Sequence, residues 1–153
     1  MAEETKKKVW RTPPWVDSHI ERYLKDPAGA VMWDANGAGY DAQVQTLLLT
    51  TTGRKSGEPR HSPLIFQAFD DGYVVIASKG GWADHPSWYE NLLANPEAEI
   101  RVGAKHLKVR ARTVPEPERS KIWAEMAKLY PPYDDYQRRA KDREIPVVML
   151  DPV

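Results

Sequence analysis

The sequence contains no cysteine and no long apolar run. Without cysteine the chain has no disulfide, no thiol nucleophile and no cysteine-based metal site, a composition typical of a reducing compartment. No stretch approaches the roughly 20 apolar residues that cross a bilayer, and the first residues lack the apolar core of a signal peptide. We therefore expect a cytoplasmic protein without a membrane span.

The chain also lacks an excess of charge of either sign, since Lys plus Arg and Asp plus Glu each number 22. A balanced protein has no global field that attracts nucleic acid or an anionic bilayer, so any anion site must be local. Histidine occurs only at positions 19, 61, 85 and 106, without the spacing of a zinc motif. We expect neither a nucleic-acid partner nor a metal.

What the chain does contain is proline and glycine, 13 and 9 residues respectively among 153, which imply many turns and short elements. Residues 13–153 are predicted to form a single domain behind a flexible tail of residues 1–12. Lys6, Lys7 and Lys8 beside Val9 and Trp10 also suit a weak peripheral contact with a membrane surface.

The spacing of apolar residues predicts a mainly β protein with peripheral helices, in which a meandering antiparallel sheet follows one amino-terminal helix. Residues 25–42 read as an irregular connection. Pro63 places its strand at an edge or a bulge, and the apolar residues 73–78 suit a central buried strand. The predicted strands are 45–52, 60–67, 73–78, 99–102, 107–113 and 145–150, and the predicted helices are 15–24, 86–94 and 118–129.

The turn between the first two strands combines glycine with basic residues. Gly53 and Gly57 let the backbone turn back with its amides exposed, and fixed charges and donors surround the turn. Such a turn suits a phosphate or carboxylate string, although a solvated hairpin tip is the more frequent use of this composition. The charges and donors belong to Arg54, Lys55, Ser56 and Arg60.

Two further segments carry groups that can meet a ligand. In residues 77–81, Ala-Ser-Lys-Gly-Gly, a buried strand delivers a hydroxyl and an ammonium beside two glycines, which permit close approach to the backbone. A plain turn is an equally good interpretation of this segment. On the helix that begins at Pro86, Trp88 and Asn91 lie three residues apart and share a face, although Trp88 alone suggests a core aromatic residue.

Three tyrosines follow the last predicted helix at intervals of three, at positions 130, 133 and 136. On a short helix they line one side and offer both apolar planes and hydroxyl donors. Core packing and a substrate-facing wall are equally good interpretations of this stripe. The sequence shows no nucleophile elbow, phosphate-binding loop or dinucleotide fingerprint, so anion clamps beside aromatic walls indicate an enzyme whose chemistry belongs to a bound cofactor.

Taken in order, these blocks resemble the deazaflavin-dependent nitroreductase family over about residues 46–151. The resemblance rests on many separate blocks in the same order and spacing, while the amino-terminal helix resembles the family only loosely. The matching positions are residues 49–57, Arg60, Pro63, 77–81, 85–86, 88–89, 91–92, 94–96, Tyr130, Tyr133, Tyr136 and 145–146.

The resemblance implies a split β-barrel like that of flavin-binding proteins, with coenzyme F(420), an 8-hydroxy-5-deazaflavin, in a groove on the barrel. Arg54, Lys55, Arg60 and Lys79 would meet its phosphate and oligoglutamate tail. Ser78 and the three tyrosines would face the electron acceptor and form the catalytic set. The cofactor-binding set implied by the family is completed by Gly53, Ser56, Ser62, Pro63, Ile65, Ala77, Ser78, Gly80, Pro86, Ser87, Trp88 and Asn91.

The activity implied is hydride transfer from reduced coenzyme F(420) to an electron-poor small molecule such as a quinone, an enone or a nitroaromatic compound. Two alternatives stay open. The same clamp and slot would suit FMN or haem in a related split barrel, and a non-catalytic deazaflavin carrier would need no catalytic residue. The sequence leaves the oligomeric state open.

Overall fold

The computed structural model of the chain describes residues 11–153, so the interpretation of Lys6 to Trp10 as a membrane contact lies outside the described residues. Within this range the chain forms short helices around antiparallel strands. The helices are α1 (Pro14–Lys25), α2 (Pro27–Ala30), α3 (Ser87–Ala94), α4 (Glu118–Leu129) and α5 (Pro132–Ala140), with 3-10 turns at Ala35–Ala38 and Lys79–Gly81. The strands are β1 (Met32–Asp34), β2 (Gln43–Thr52), β3 (Pro59–Ile65), β4 (Gln67–Phe69), β5 (Gly72–Ile76), β6 (Glu97–Val102), β7 (Lys105–Thr113) and β8 (Val147–Pro152).

The strands pair in the order β3, β2, β6, β7, β8, β5 and β4, and β1 pairs with the start of β2. Only Phe66 separates β3 from β4, so one bent segment pairs with β2 at one end of this order and with β5 at the other. The sheet therefore curls back on itself. The split β-barrel with peripheral helices predicted from the resemblance is confirmed.

The predicted meander is wrong in its connectivity. Three hairpins join neighbours in the sequence, β2 with β3, β4 with β5 and β6 with β7. The other pairs, β2 with β6, β7 with β8 and β5 with β8, join strands that are distant in the sequence. Local periodicity specifies which residues form a strand but not which distant edge the strand meets. Residues 25–42 are also more regular than predicted, since they hold α2 and β1.

Both faces of β5 and β8 are buried, which explains their nearly continuous apolar sequences. Val75 and Leu150 pack inside the barrel with Trp88 of α3. Val74 and Met149 point to the opposite face, where residues of α4 and α5 cover them. The prediction that residues 73–78 include a central buried strand is therefore confirmed, and the predicted helix 118–129 coincides with α4.

Tyr23 fastens α1 to the sheet. Its buried hydroxyl donates a hydrogen bond to the Thr46 carbonyl at 2.7 Å and accepts one from the Gly103 N–H at 3.1 Å. These two groups lie where β2 changes its partner on that edge from β1 to β6. The tyrosine thus satisfies backbone groups that the strand ladder leaves open, and it holds α1 beside the barrel.

The barrel is split between β3 and the end of β5. On β2, the backbone N–H and C=O groups of Leu48 and Thr50 point toward β6. Their partners on β3 are Pro63 and His61. The backbone groups of these two partners therefore point away from β2. The proline nitrogen therefore faces the split, and the missing N–H removes no bond from the ladder with β2. The prediction that Pro63 marks an edge strand is confirmed, and the edge borders the groove described next.

Candidate functional site

A groove of about 920 Å³ occupies the split. One wall is the free edge of β3, and the opposite wall is the loop that follows β5. The first turns of α1, the start of α3 and the tyrosines at α5 close the remaining sides. Elements that are far apart in the sequence thus converge on one cavity.

Thirteen of the nineteen residues predicted for the site line this groove. They are Arg54, Ser62, Pro63, Ile65, Ser78, Lys79, Gly80, Pro86, Ser87, Trp88, Tyr130, Tyr133 and Tyr136. The groove lining does not include the other six, Gly53, Lys55, Ser56, Arg60, Ala77 and Asn91. Of these, Ala77 and Asn91 are buried behind the lining, whereas Lys55, Ser56 and Arg60 are exposed at the hairpin tip next to Arg54.

Arg54 is the cation of the hairpin that reaches the groove. Its backbone N–H and its Nη1 both donate to Oδ1 of Asn91, at 3.1 and 2.8 Å, and its Nη2 lies 3.0 Å from Oε1 of Glu90. Asn91 in turn donates from Nδ2 to the Thr51 hydroxyl at 3.1 Å. Trp88 and Asn91, which were predicted to share a face, therefore differ in their contacts. Trp88 lines the groove, whereas Asn91 binds Arg54.

The prediction that the hairpin exposes its glycine N–H groups is wrong, because both are hydrogen-bonded within the turn. The N–H of Gly53 donates to the Glu58 carbonyl and that of Gly57 to the Gly53 carbonyl, each at 2.8 Å. Both bonds close the turn, because a tight reversal brings these backbone groups together before any ligand arrives. The positive charge of the tip thus belongs to side chains, and Arg60 adds a contact of 3.4 Å from Nη2 to the Ser56 hydroxyl.

The loop after β5 has an unusual backbone. Lys79 has φ +46°, a conformation that residues with a side chain adopt rarely, and Gly80 and Gly81 follow with φ +61° and +85°. The Lys79 ammonium lies 3.0 Å from Oδ2 of Asp84, and only 11% of the lysine side chain is exposed. The hydrogen bond and the charge of this lysine lower the pKa of the Asp84 carboxyl.

The three tyrosines pack as one aromatic group. The hydroxyls of Tyr130 and Tyr136 lie 2.9 Å apart, and the ring centroids of Tyr130 and Tyr133 lie 4.9 Å apart with nearly perpendicular planes. Tyr130 and Tyr133 are buried against the core, yet both border the groove. Core packing is thus confirmed for Tyr130 and Tyr133, and the substrate-facing wall stays a prediction. Burial raises the pKa of the Tyr130 and Tyr133 phenols above its ordinary value of 10.0.

Two tryptophans outside the predicted site extend the aromatic wall. Trp15 of α1 and Trp33 of β1 lie 4.4 Å apart between ring centroids, and both line the groove. The sequence places Trp15 on an apolar helix face, which cannot by itself distinguish a core residue from a ligand wall. Trp33 lies in the segment predicted to be irregular, so no pattern pointed to it.

Two histidines also border the groove. Nδ1 of His61 lies 2.9 Å from the Thr50 hydroxyl, and His85 packs edge-on against Tyr89. Burial, followed by the charge of a nearby arginine, lowers the pKa of both imidazoles. Both rings are therefore neutral at neutral pH, and the fixed charge of the groove comes from its arginines, its lysine and its carboxylates.

The groove thus combines cationic side chains, Arg54 at the hairpin and Lys79 and Arg139 beside α5, with the aromatic planes of its tryptophans and tyrosines. A family model described as F(420)H(2)-dependent quinone reductase matches residues 30–152. The chain belongs to this family. The resemblance to deazaflavin-dependent reductases and the oxidoreductase class predicted from it are confirmed.

Two mycobacterial proteins illustrate the similarity to curated members of this family. The F(420)H(2)-dependent quinone reductase Rv1261c of Mycobacterium tuberculosis is 37% identical over 142 residues, which cover 89% of this chain and 95% of the relative. A protein of Mycobacterium bovis, named as a putative quinone reductase of the same type, Mb1292c, is similar to the same extent.

Solved structures agree with the family assignment. An F(420)-H2 dependent reductase, FDR-A, is 42% identical with a TM-score of 0.64, covering 69% of this chain and 93% of its own. A structure described as a domain-swapped dimer is 37% identical with a TM-score of 0.67, covering 90% and 97%. The haem storage protein HutZ of Vibrio cholerae, 16% identical with a TM-score of 0.53, shares the fold alone. Between residues 11 and 153, none of the helices is long and apolar enough to cross a membrane.

Proposed function

We propose that this chain binds coenzyme F(420) in the groove and reduces a quinone with it. The observation that carries the proposal is the arrangement of the groove, in which Arg54 and Lys79 border the same cavity as the tyrosine group. A ligand with an anionic tail and a flat ring, together with a flat acceptor, matches this combination of cationic and aromatic side chains. Family membership and the names of the relatives support the same activity.

The cationic side would hold the tail of the coenzyme. Arg54 is already oriented by Asn91, so little side-chain entropy is lost when it meets a phosphate or carboxylate. Lys55 and Arg60 are exposed beyond it at the hairpin tip, where an oligoglutamate chain that leaves the groove would pass. Lys79 would add a second charge from the opposite wall.

The ring would lie against the split. Pro63 and Ile65 offer an apolar edge on β3, and Trp88 offers an aromatic surface from α3. When bound in its reduced form, the deazaflavin supplies a hydride, so the protein itself needs no nucleophile or metal. Its main task is to exclude water and to align the two flat molecules.

The tyrosine group and Ser78 would orient the acceptor. A quinone oxygen gains negative charge during hydride transfer, and a hydroxyl donor nearby stabilises that charge. Tyr136 is half-buried in the groove, and its hydroxyl is already paired with that of Tyr130. Because burial raises the pKa of Tyr130, this pair would keep its protons and act as a hydrogen-bond donor, while solvent would supply the proton that the acceptor gains.

The proposal is tested by mixing the full-length protein with F(420), FMN and haem and following fluorescence or absorbance, then supplying reduced F(420) with menadione, an enone and a nitroaromatic compound. We expect binding of F(420) but not of FMN, and oxidation of the reduced form by the quinone. Lys55→Ala should weaken coenzyme binding and leave acceptor preference unchanged, whereas Tyr136→Phe should slow turnover without weakening coenzyme binding.

Two results would reject the proposal. Tight binding of FMN or haem without binding of the deazaflavin would assign the groove to another cofactor. Binding of reduced F(420) that none of the acceptors oxidises would indicate a carrier. Light scattering on the same sample reports the oligomeric state, since one relative is described as a domain-swapped dimer.

A further inference from the structure

Arg143 lies behind the groove, in the turn between α5 and β8, and it grips the loop that follows β5. Its Nε donates to the Trp82 carbonyl at 2.9 Å, Nη1 to the Ala77 carbonyl at 3.0 Å, and Nη2 to the Ser78 carbonyl at 2.7 Å. Nη1 also lies 3.2 Å from Nδ1 of His85. One guanidinium thus joins both ends of the segment 77–85, and the planar fork of arginine can meet several fixed acceptors at once.

The position of Arg143 is itself held in place. Gln137 of α5 donates from Nε2 to the Arg143 carbonyl at 2.8 Å, and its Oε1 accepts the N–H of Ile145 at 2.9 Å. The N–H of Arg143 donates to the Ala140 carbonyl at 3.2 Å. The helix that carries Tyr133 and Tyr136 therefore also fixes the arginine that binds the neighbouring loop, which forms one wall of the groove.

The loop needs such an external hold because its backbone is strained. Lys79, Gly80 and Gly81 all have positive φ, and a residue with a side chain keeps that conformation only when its surroundings enforce it. Nη1 of Arg139 on α5 donates a hydrogen bond to the Gly80 carbonyl at 3.0 Å. Arg139 and Arg143 together therefore bind four carbonyls of this loop.

Holding the carbonyls also orients the rest of the loop. In a trans peptide the N–H of one residue points opposite to the carbonyl before it. With the carbonyls of Ala77 and Ser78 turned toward Arg143, the N–H groups of Ser78 and Lys79 point away from the guanidinium. Arg143 is absent from the groove lining, while Ser78 and Lys79 belong to it.

We propose that Arg143 is a positioning residue of the reductase: it fixes residues 77–82 so that the Ser78 hydroxyl and the Lys79 ammonium face the groove together with the tyrosines. The catalytic part of this inference rests on the proposed function. A methionine at position 143 fills similar space without a donor, and a lysine supplies a single ammonium in place of the fork.

The test compares Arg143→Met, Arg143→Lys and Arg143→Ala with the control Arg138→Met, which removes an exposed arginine of α5 that pairs with Asp135. Each folded variant is measured for F(420) binding, for kcat and KM with menadione, and for amide hydrogen exchange of residues 78–82. We expect kcat to fall by about 10²-fold in the Met variant, since a small misplacement of reacting groups has that effect. The KM for menadione should change little, and Arg143→Lys should recover stability but not kcat.

Guanidinium ion at millimolar concentration should restore the rate of Arg143→Ala in a saturable manner, whereas it should not accelerate wild type or Ser78→Ala. Exchange of residues 78–82 should be faster in all three Arg143 variants than in Arg138→Met. Wild-type kcat in Arg143→Met, or a loss fully explained by its unfolded fraction, would overturn the inference. If the wild-type protein fails to bind F(420), the proposed function is rejected. If amide hydrogen exchange of residues 78–82 is the same in Arg143→Met as in wild type, the positioning role is rejected independently of the proposed function.

Discussion

Oδ1 of Asn91 accepts hydrogen bonds from both the backbone N–H and the guanidinium of Arg54, at 3.1 and 2.8 Å. Asn91 is only 4% exposed and does not belong to the groove lining. It joins α3 to the β2–β3 hairpin and selects one orientation of the arginine. We therefore expect the asparagine to influence anion binding through its neighbour.

Replacing Asn91 by alanine should weaken coenzyme binding about tenfold and destabilise the fold by about 1–2 kcal/mol, because a charge-assisted bond is lost and Thr51 loses its partner. Fluorescence titration with F(420) and urea unfolding measure the two effects. Asn95→Ala is the matched control, since the exposed Asn95 side chain accepts a hydrogen bond from the N–H of Glu97. Equal affinities of Asn91→Ala and Asn95→Ala would show that Arg54 needs no support.

Glu90 should limit the affinity of the groove for anions. Its carboxylate lies 3.0 Å from Arg54 and 44% of its side chain is exposed, so an incoming phosphate must compete with it. Glu90→Gln should tighten F(420) binding by about two- to fivefold at low salt, and the gain should fade at high salt because exposed charges are screened. Titrations at two ionic strengths check this. The control is Glu97→Gln, whose carboxylate pairs with Arg110; a loss of affinity in Glu90→Gln would contradict the prediction.

Gly81 and Gly80 should respond differently to alanine. Both have positive φ, which costs an alanine about 1–2 kcal/mol. At Gly81 the new Cβ would also lie 2.5 Å from the Tyr136 carbonyl oxygen, whereas at Gly80 no atom described lies within 4 Å. Gly81→Ala should therefore lower the free energy of unfolding well beyond Gly80→Ala and displace α5. Thermal unfolding of both variants decides the matter, and equal melting temperatures would refute the close approach.

His19 should make the fold less stable in acid. Its buried Nε2 lies 2.8 Å from the Ala30 carbonyl, an acceptor, while Nδ1 is buried without a partner in the range 11–153. Burial lowers the pKa of this imidazole below its ordinary value of 6.5. The unfolded chain then takes up the proton first, so stability is present above pH about 6.5 and falls below it, by at most about 1.4 kcal/mol per pH unit.

Urea unfolding at pH 7.5 and 5.0 measures that loss. His19→Gln, which can still donate to Ala30, should show a smaller decrease between the two pH values than wild type. His106→Gln removes an exposed imidazole and serves as the control. If wild type and His19→Gln lose stability equally, the buried ring is not the source.

Local sequence patterns predicted the positions of the helices and strands better than they predicted which strands pair. The run of apolar residues in β5 and the spacing of Ile122 and Met126 on α4 are dictated within a few residues, and the structure matches both. The pairing of β2 with β6 depends on surfaces that meet only after folding. The same limit applies to Arg143, whose acceptors lie 61 to 66 residues away in the sequence and are backbone carbonyls without a sequence signature.

The proline at the split has a consequence for how the barrel stays open. A strand edge with a full set of N–H and carbonyl groups is a template for another strand, from β5 or from a second molecule. At Pro63 the edge lacks a donor, so a continuous ladder cannot form there. The residue thus disfavours strand addition at the groove, and we expect it to keep the entrance open to the ring of a ligand.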